Sequence, residues 1–125
     1  MPIASTISHP TRLVTATATG AVTLRQFQDY LDSVVVADAM AYAKLVDISA
    51  ATLALRDDEM MILAAWIRAY SSTAKMGPEA IVTSTTETYT QARLYTTLTS
   101  TDRPVQIFLD LAAARKWLAT AASPT

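Results

Sequence analysis

Few side chains in this sequence have both the type and the company that chemistry requires. Its single histidine, His9, has an ordinary pKa near neutrality and could take a proton from one of the many serine and threonine hydroxyls. It stands in Ser8-His9-Pro10-Thr11, however, and an exposed turn explains that string without catalysis. Asp57, Asp58 and Glu59 could offer carboxylates to a hard cation. Consecutive helical side chains diverge by about 100°, so the trio does not converge on one ion and reads as acid placed against the positive end of a helix dipole. Asp47 stands near the end of an apolar run, at the edge where open α/β sheets bind ligands, and Thr83-Ser84 and Asp110 fall at the same edge. An aspartyl-phosphate site there would need an acidic pair after the first strand and a lysine after the last; those places hold Gly20-Ala21 and Asp110. No nucleophile, base and orienting group can be named together. The expectation is a protein that binds and is not an enzyme.

The composition narrows what could be bound. With 125 residues, 51% of them hydrophobic, the chain is long enough for one domain with an ordinary core. It has no cysteine and two glycines, so thiolate chemistry, disulfides and a glycine-rich phosphate loop are all excluded, and no metal or other cofactor is expected. A net charge of −1 supplies no positive excess for nucleic acid. Basic residues are scattered, with Arg115-Lys116 the only adjacent pair. The longest apolar stretch, Met60 to Ile67, is far short of the roughly 20 residues that span a bilayer, so no membrane insertion is expected. Met1 to Thr6 lacks the basic-then-apolar pattern of a secretion signal, and a cytoplasmic location is the default.

The elements that must position these residues follow from pattern and punctuation. Ile3 to Ser8 and Arg12 to Gly20 read as an antiparallel hairpin rich in β-branched residues, with Thr15, Thr17 and Thr19 alternating with alanines as on a strand near a sheet edge. Thr23 and Gln26 have capping-box spacing, and Leu24, Phe27, Leu31 and Val34 form the inward stripe of the helix that follows. Lys44 to Ile48 reads as a strand buried on both faces, Glu79 to Thr83 as another, and Val105 to Leu109 as a fifth. Between them, a helix opens around Arg56 to Glu59 and is closed by Gly77-Pro78. Another is capped by Thr86 or Thr88, carries Tyr89, Ala92, Tyr95 and Leu98, and is broken at Thr101-Asp102-Arg103-Pro104. The last is capped by Asp110, runs from Leu111 to Leu118, and leaves a fraying tail from Ala119. The order ββαβαβαβα implies a mixed, largely parallel five-stranded sheet with about four helices packed on it, in one domain covering residues 1–125.

One helix is unusual. Met60 to Ile67 contains no polar residue, so this helix cannot turn a clean polar face to water and needs a second apolar contact: a neighbouring helix, a second subunit or a bound ligand. A ligand reading places Met60, Met61 and Trp66 around a pocket, with a tyrosine hydroxyl from Tyr70, Tyr89 or Tyr95 at its rim.

The series KLVDIS, an acidic helix start with MMILAAWIRAY, GPEAIV, ARLY, RPVQIF and ARKWL resembles the SpoIIAA-like subgroup of STAS domains. These are the sulfate-transporter and anti-sigma-factor-antagonist class, overlapping in some classifications with lipid-binding CRAL-TRIO-type folds. The resemblance runs from about Arg12 to Leu118. It implies a mixed sheet with helices mainly on one side and a regulatory role carried by protein binding. In phosphoregulated members, a serine at the start of the helix after the VD-type strand is modified by a partner kinase; here that stretch is Leu55-Arg56-Asp57-Asp58-Glu59-Met60, without the serine. Ser49 is the nearest remaining hydroxyl, expected in the loop before that helix, and an aspartate mimics phosphate only in part. The expected interaction surface therefore joins Asp47, Ser49, Arg56, Asp57 and Asp58 to Met60, Met61 and Trp66, on a helix from about Asp57 to Lys75. Its expected occupant is a protein, including a second copy of the chain, with a small apolar ligand or lipid as the alternative.

Overall fold

The computed structural model describes residues 3–99 and 103–121. Five strands, β1 (Ile3–Ser8), β2 (Leu13–Val22), β3 (Ala43–Leu53), β4 (Glu79–Val82) and β5 (Val105–Phe108), lie side by side in chain order. β1 is antiparallel to β2 and every later pairing is parallel, as the hairpin followed by βα units requires. Four helices connect or follow them: α1 (Leu24–Val36), α2 (Asp57–Thr73), α3 (Thr86–Leu98) and α4 (Leu111–Ala121).

Alternation along the strands divides the core into two layers. Ala43 and Leu45 of β3, with Ala80 and Val82 of β4, meet Ala114 and Leu118 of α4 on one face. Val14, Ala16 and Ala18 of β2, Ile48 of β3 and Ile81 of β4 face the other way, against Leu31 and Val34 of α1, Leu63 and Ile67 of α2, and Ala92 and Tyr95 of α3. The helices thus lie mainly on one side, three against one.

Local chemistry sets the helix ends. Thr23 N donates to Gln26 Oε1 at 2.8 Å, the expected capping box of α1. Asp110 accepts from the amides of Ala112 and Ala113 and caps α4. The cap of α3 is Thr85, not Thr86 or Thr88: its hydroxyl accepts from Thr88 N at 3.1 Å, while Thr88 sits buried in the first turn. α2 stops at Thr73, short of Lys75, because the Ser71, Ser72 and Thr73 hydroxyls donate back to the carbonyls of Arg68, Ala69 and Tyr70 and compete with further helix. α4 continues through Ala121, past the expected fraying point; residues 122–125 lie outside the described residues, as do Thr101 and Asp102 of the expected break.

β3 is the largest departure from expectation. It continues past Ile48 to Leu53 because β2 runs beside it, with a register shift between Thr17 and Thr19, as far as Val22 opposite Leu53. β4 ends sooner, at Val82 opposite Asp47. Beyond that point side chains stand in for the missing strand: Ser84 Oγ donates to Ser49 O at 2.5 Å and Gln91 Nε2 to Leu53 O at 3.1 Å.

Gly77 holds the opposite edge together. A Cβ there would lie 2.2 Å from Tyr42 O, so only glycine fits, and its amide donates to Met40 O. Tyr42 is itself clamped from the hairpin, by His9 Nδ1 at 2.6 Å from its hydroxyl and by the Arg12 guanidinium over its ring.

Candidate functional site

Between the sheet and helices α1, α2 and α3 lies a cavity of about 70 Å3. The side chains of one strand face form its floor: Lys44, Val46 and Ile48 from β3, Glu79 and Ile81 from β4. Most of the remaining wall is apolar, with Leu31, Met60, Leu63 and Ile67 from the helices. One end is not. Lys44 and Glu79 are neighbours in the parallel register, so two charged residues enter the core side by side. Lys44 is only 2% exposed; its Nζ donates to Met40 O at 2.6 Å and Tyr42 O at 2.8 Å. Glu79 Oε1 accepts from Tyr95 OH at 2.9 Å and from Arg103 Nη2 at 3.1 Å, and Arg103 Nη2 also lies 3.0 Å from Tyr95 OH. Arg103 Nη1 reaches Gly77 O at 3.4 Å.

Burial dominates the electrostatics of this cluster. Desolvation pushes the Lys44 ammonium down to about 8, with Arg103 acting the same way and Glu79 opposing. The Tyr30 and Tyr95 hydroxyls are pushed up, first by burial and then by the Glu79 charge. Burial disfavours the Arg103 charge, but Glu79, Tyr95 and Tyr30 outweigh it and its pKa is raised. Tyr30 OH, Arg103 Nε and Gln91 Oε1 are buried in residues lining this cavity and have no hydrogen-bond partner among the described residues.

The residues singled out from sequence fall in three separate places. Asp47 and Ser49 lie inside β3, which corrects two expectations: Asp47 is not near the strand end, and Ser49 is not in a loop, because pairing with β2 prolongs the strand. Asp47 is nevertheless level with the end of β4. Its Oδ1 accepts from Ser49 N at 2.9 Å and Ser49 Oγ at 2.6 Å, so the serine hydroxyl is already engaged. Arg56, Asp57 and Asp58 form the exposed start of α2. Arg56 N donates to Glu59 Oε1, and Arg56 Nε donates to Asp58 Oδ1 at 3.0 Å, a hydrogen bond that raises the arginine pKa and lowers that of the carboxyl.

Met60, Met61 and Trp66 do not share a pocket. Met60 is 3% exposed and lines the cavity, whereas Met61 is 59% exposed and faces away; the 100° step between adjacent helical residues separates them. Trp66 is half-buried against the three-helix core and is not in the cavity wall. Of the candidate tyrosines only Tyr95 reaches the cavity; Tyr70 is half-buried and Tyr89 is exposed. His9 spends its ring on Tyr42, and Arg115 and Lys116 are exposed.

Sequence reasoning missed Tyr30, Lys44, Glu79, Gln91 and Arg103. A signal existed for two of them: Lys44 is in phase with Val46 and Ile48, and Glu79 with Ile81, so each charge sits on an apolar strand face. Arg103, distant in sequence and next to a proline, carried none.

Among the described residues, no three His, Asp or Glu side chains group to hold a metal ion, and no helix is long and apolar enough to cross a membrane. No protein-family model and no curated protein matches the sequence. Among solved structures, an uncharacterised protein of the DUF3478 family from Shewanella loihica PV-4, with a SpoIIAA-like fold, is similar at a TM-score of 0.61 and 19% identity. The likeness covers 93% of this chain and 91% of that one. It is a likeness of fold, and it agrees with the sheet order, the mixed strand directions and the four helices: this chain has a SpoIIAA-like fold.

Proposed function

We propose that this protein is a non-catalytic regulatory module of the cytoplasm that contacts a protein through the outward face of α2 and its charged N-terminal turn. The observation that carries this reading is the composition of that face. Met61 and Ile62 are 59% and 43% exposed, Ala65 and Ala69 are exposed beside them, and no charge interrupts the helix between Glu59 and Arg68. Small alanines beside large flexible side chains suit close approach of another apolar surface. Arg56, Asp57 and Asp58 supply a polar rim at one end. A phosphoswitch is not part of the proposal, since a phosphate on Ser49 would stand against Asp47, whose carboxylate now accepts that hydroxyl.

The first partner to test is a second copy of the chain. Native mass spectrometry and light scattering of the purified protein should show a dimer that Met61→Asp converts to monomer, because the interface would bury an unpaired carboxylate. A wild-type monomer at millimolar concentration, or a dimer that survives the substitution, removes this self-contact.

The cavity favours a second reading, a carrier or sensor of a small apolar molecule held between α2 and the sheet. At about 70 Å3 it is smaller than the ~150 Å3 space that accommodates benzene, so a larger guest must displace the flexible side chains Met60 and Met76 in its wall.

A further inference from the structure

The polar end of the cavity has a specific chemistry of its own. Four buried side-chain polar atoms lack a partner among the described residues, and three of them, Tyr30 OH, Arg103 Nε and Gln91 Oε1, belong to the walls of this single cavity. Native proteins leave few such atoms, and their concentration in one cavity points to an occupant with hydrogen-bonding atoms of its own. Gln91 is anchored to Leu53 O, whereas Tyr30 and Arg103 belong to the end built on Lys44 and Glu79.

That end is rich in donors and carries an excess of positive charge. Among the described residues, Arg103 and Lys44 are two cations facing one carboxylate, that of Glu79. Glu79 Oε1 is occupied by Tyr95 and Arg103, so its charge is already engaged. Among the described residues, Arg103 Nε–H and the Tyr30 hydroxyl have no acceptor, and Lys44 uses two of its three N–H bonds on backbone carbonyls. The group that best satisfies two or three donors beside an uncompensated cation is a carboxylate. The walls leading away from it, Val46, Ile48, Ile81, Leu63 and Ile67, offer no polar side-chain atom, so the rest of the guest is hydrocarbon.

We propose that the cavity binds a small aliphatic carboxylic acid in its ionised form, its head at Tyr30, Arg103 and Lys44 and its chain between the sheet and α2. This rests on the small-ligand reading and adds the head group to it. The available volume takes the carboxylate and about one further carbon before the methionines must move, so affinity should rise with chain length as the seam opens.

The test is a titration of the full-length, isotopically labelled protein with butyrate, hexanoate and octanoate, followed by amide chemical shifts and by thermal denaturation. Parallel titrations use the corresponding primary alcohols and potassium chloride at matched ionic strength. The expected result is saturable one-to-one binding of the acids with shifts at Tyr30, Ile48 and Ile81, binding of each alcohol at least about tenfold weaker, and no specific effect of chloride. Tyr30→Phe should weaken hexanoate binding about tenfold while changing alcohol binding little. Should that variant not fold, the acid-to-alcohol ratio on the wild type decides. Alcohols binding as tightly as acids would overturn the carboxylate head site and leave the apolar-ligand reading standing. No saturable binding of either series, with only water found in the cavity, would overturn both.

Discussion

The two faces of the sheet solve the same packing problem in opposite ways. Toward α4, Ala43, Leu45, Ala80 and Val82 meet Ala114 and Leu118, and Phe108 tilts against Trp117 with ring centres 5.6 Å apart. Among the described residues its buried side chains are hydrocarbon, and the one charge in phase with them, Asp47 opposite Val82, is only half-buried and bonded to Ser49. Toward α1, α2 and α3 the same two strands, one residue out of phase, send Lys44 and Glu79 into the core, where Arg103, Tyr95 and Tyr30 join them around a cavity. A buried ion pair is seldom more stabilising than the hydrocarbon that could replace it, and on the α4 face the fully buried positions of the same two strands are filled with hydrocarbon. The charged face is therefore poorly explained by stability and is the place to look for specificity.

The sharpest way to break this contrast is to remove one partner of the network. Glu79→Ala should cost about 3–5 kcal/mol in denaturant unfolding, because Arg103 and the Tyr95 hydroxyl are left buried without their acceptor. The double variant Glu79→Leu with Arg103→Met should cost much less than Glu79→Ala; a double variant as unstable as the single one would mean that the pair is held for stability after all. On the opposite face Leu45→Ala should cost about 3 kcal/mol through transfer and cavity terms, with no dependence on pH. A cost below about 1 kcal/mol would show that layer to be looser than its burial indicates.

The pH dependence separates the faces further. Lys44 titrates near 8 in the fold against an ordinary 10.5, so between those values the unfolded chain binds more protons and stability rises with pH. Tyr30 and Tyr95 are held above their ordinary value of 10.0, so above pH 10 the fold binds the extra protons and stability falls. Wild-type stability should accordingly climb by about 1–2 kcal/mol from pH 8 toward pH 10 and then decline, and Lys44→Met should remove the climb. A climb that persists in Lys44→Met would assign it elsewhere. The smallest effect is expected outside both layers: Met61→Asp, on the exposed side of α2, should change monomer stability by no more than about 0.5 kcal/mol, even while altering association.

Much of the architecture was legible because strong local signals agreed with one another. Thr23 and Gln26 announced α1, Asp110 announced α4, and the threonine–alanine alternation of β2 announced its half-buried position. The boundaries that were missed depend on tertiary partners: β3 is long only because β2 is there to pair with it, and α2 is short because three hydroxyls near its end turn back on the backbone. The site was less legible for a related reason. Met60 and Met61 look alike in a string of letters, and only the orientation of α2 against the sheet sends one inward and the other out. Arg103 meets Glu79 across a separation of 24 residues, which no local pattern encodes.

The overhang of β3 beyond β4 has a consequence for how the protein behaves at high concentration. Its stretch from Ser49 to Leu53 is paired on one side only, and bare strand edges recruit other strands. Ser84 and Gln91 occupy the carbonyls at the two ends of that stretch, one from the turn before α3 and one from the helix itself. Two ordinary polar side chains thus take the place of a neighbouring strand there, and replacing both with alanine should raise self-association at high concentration, read by light scattering.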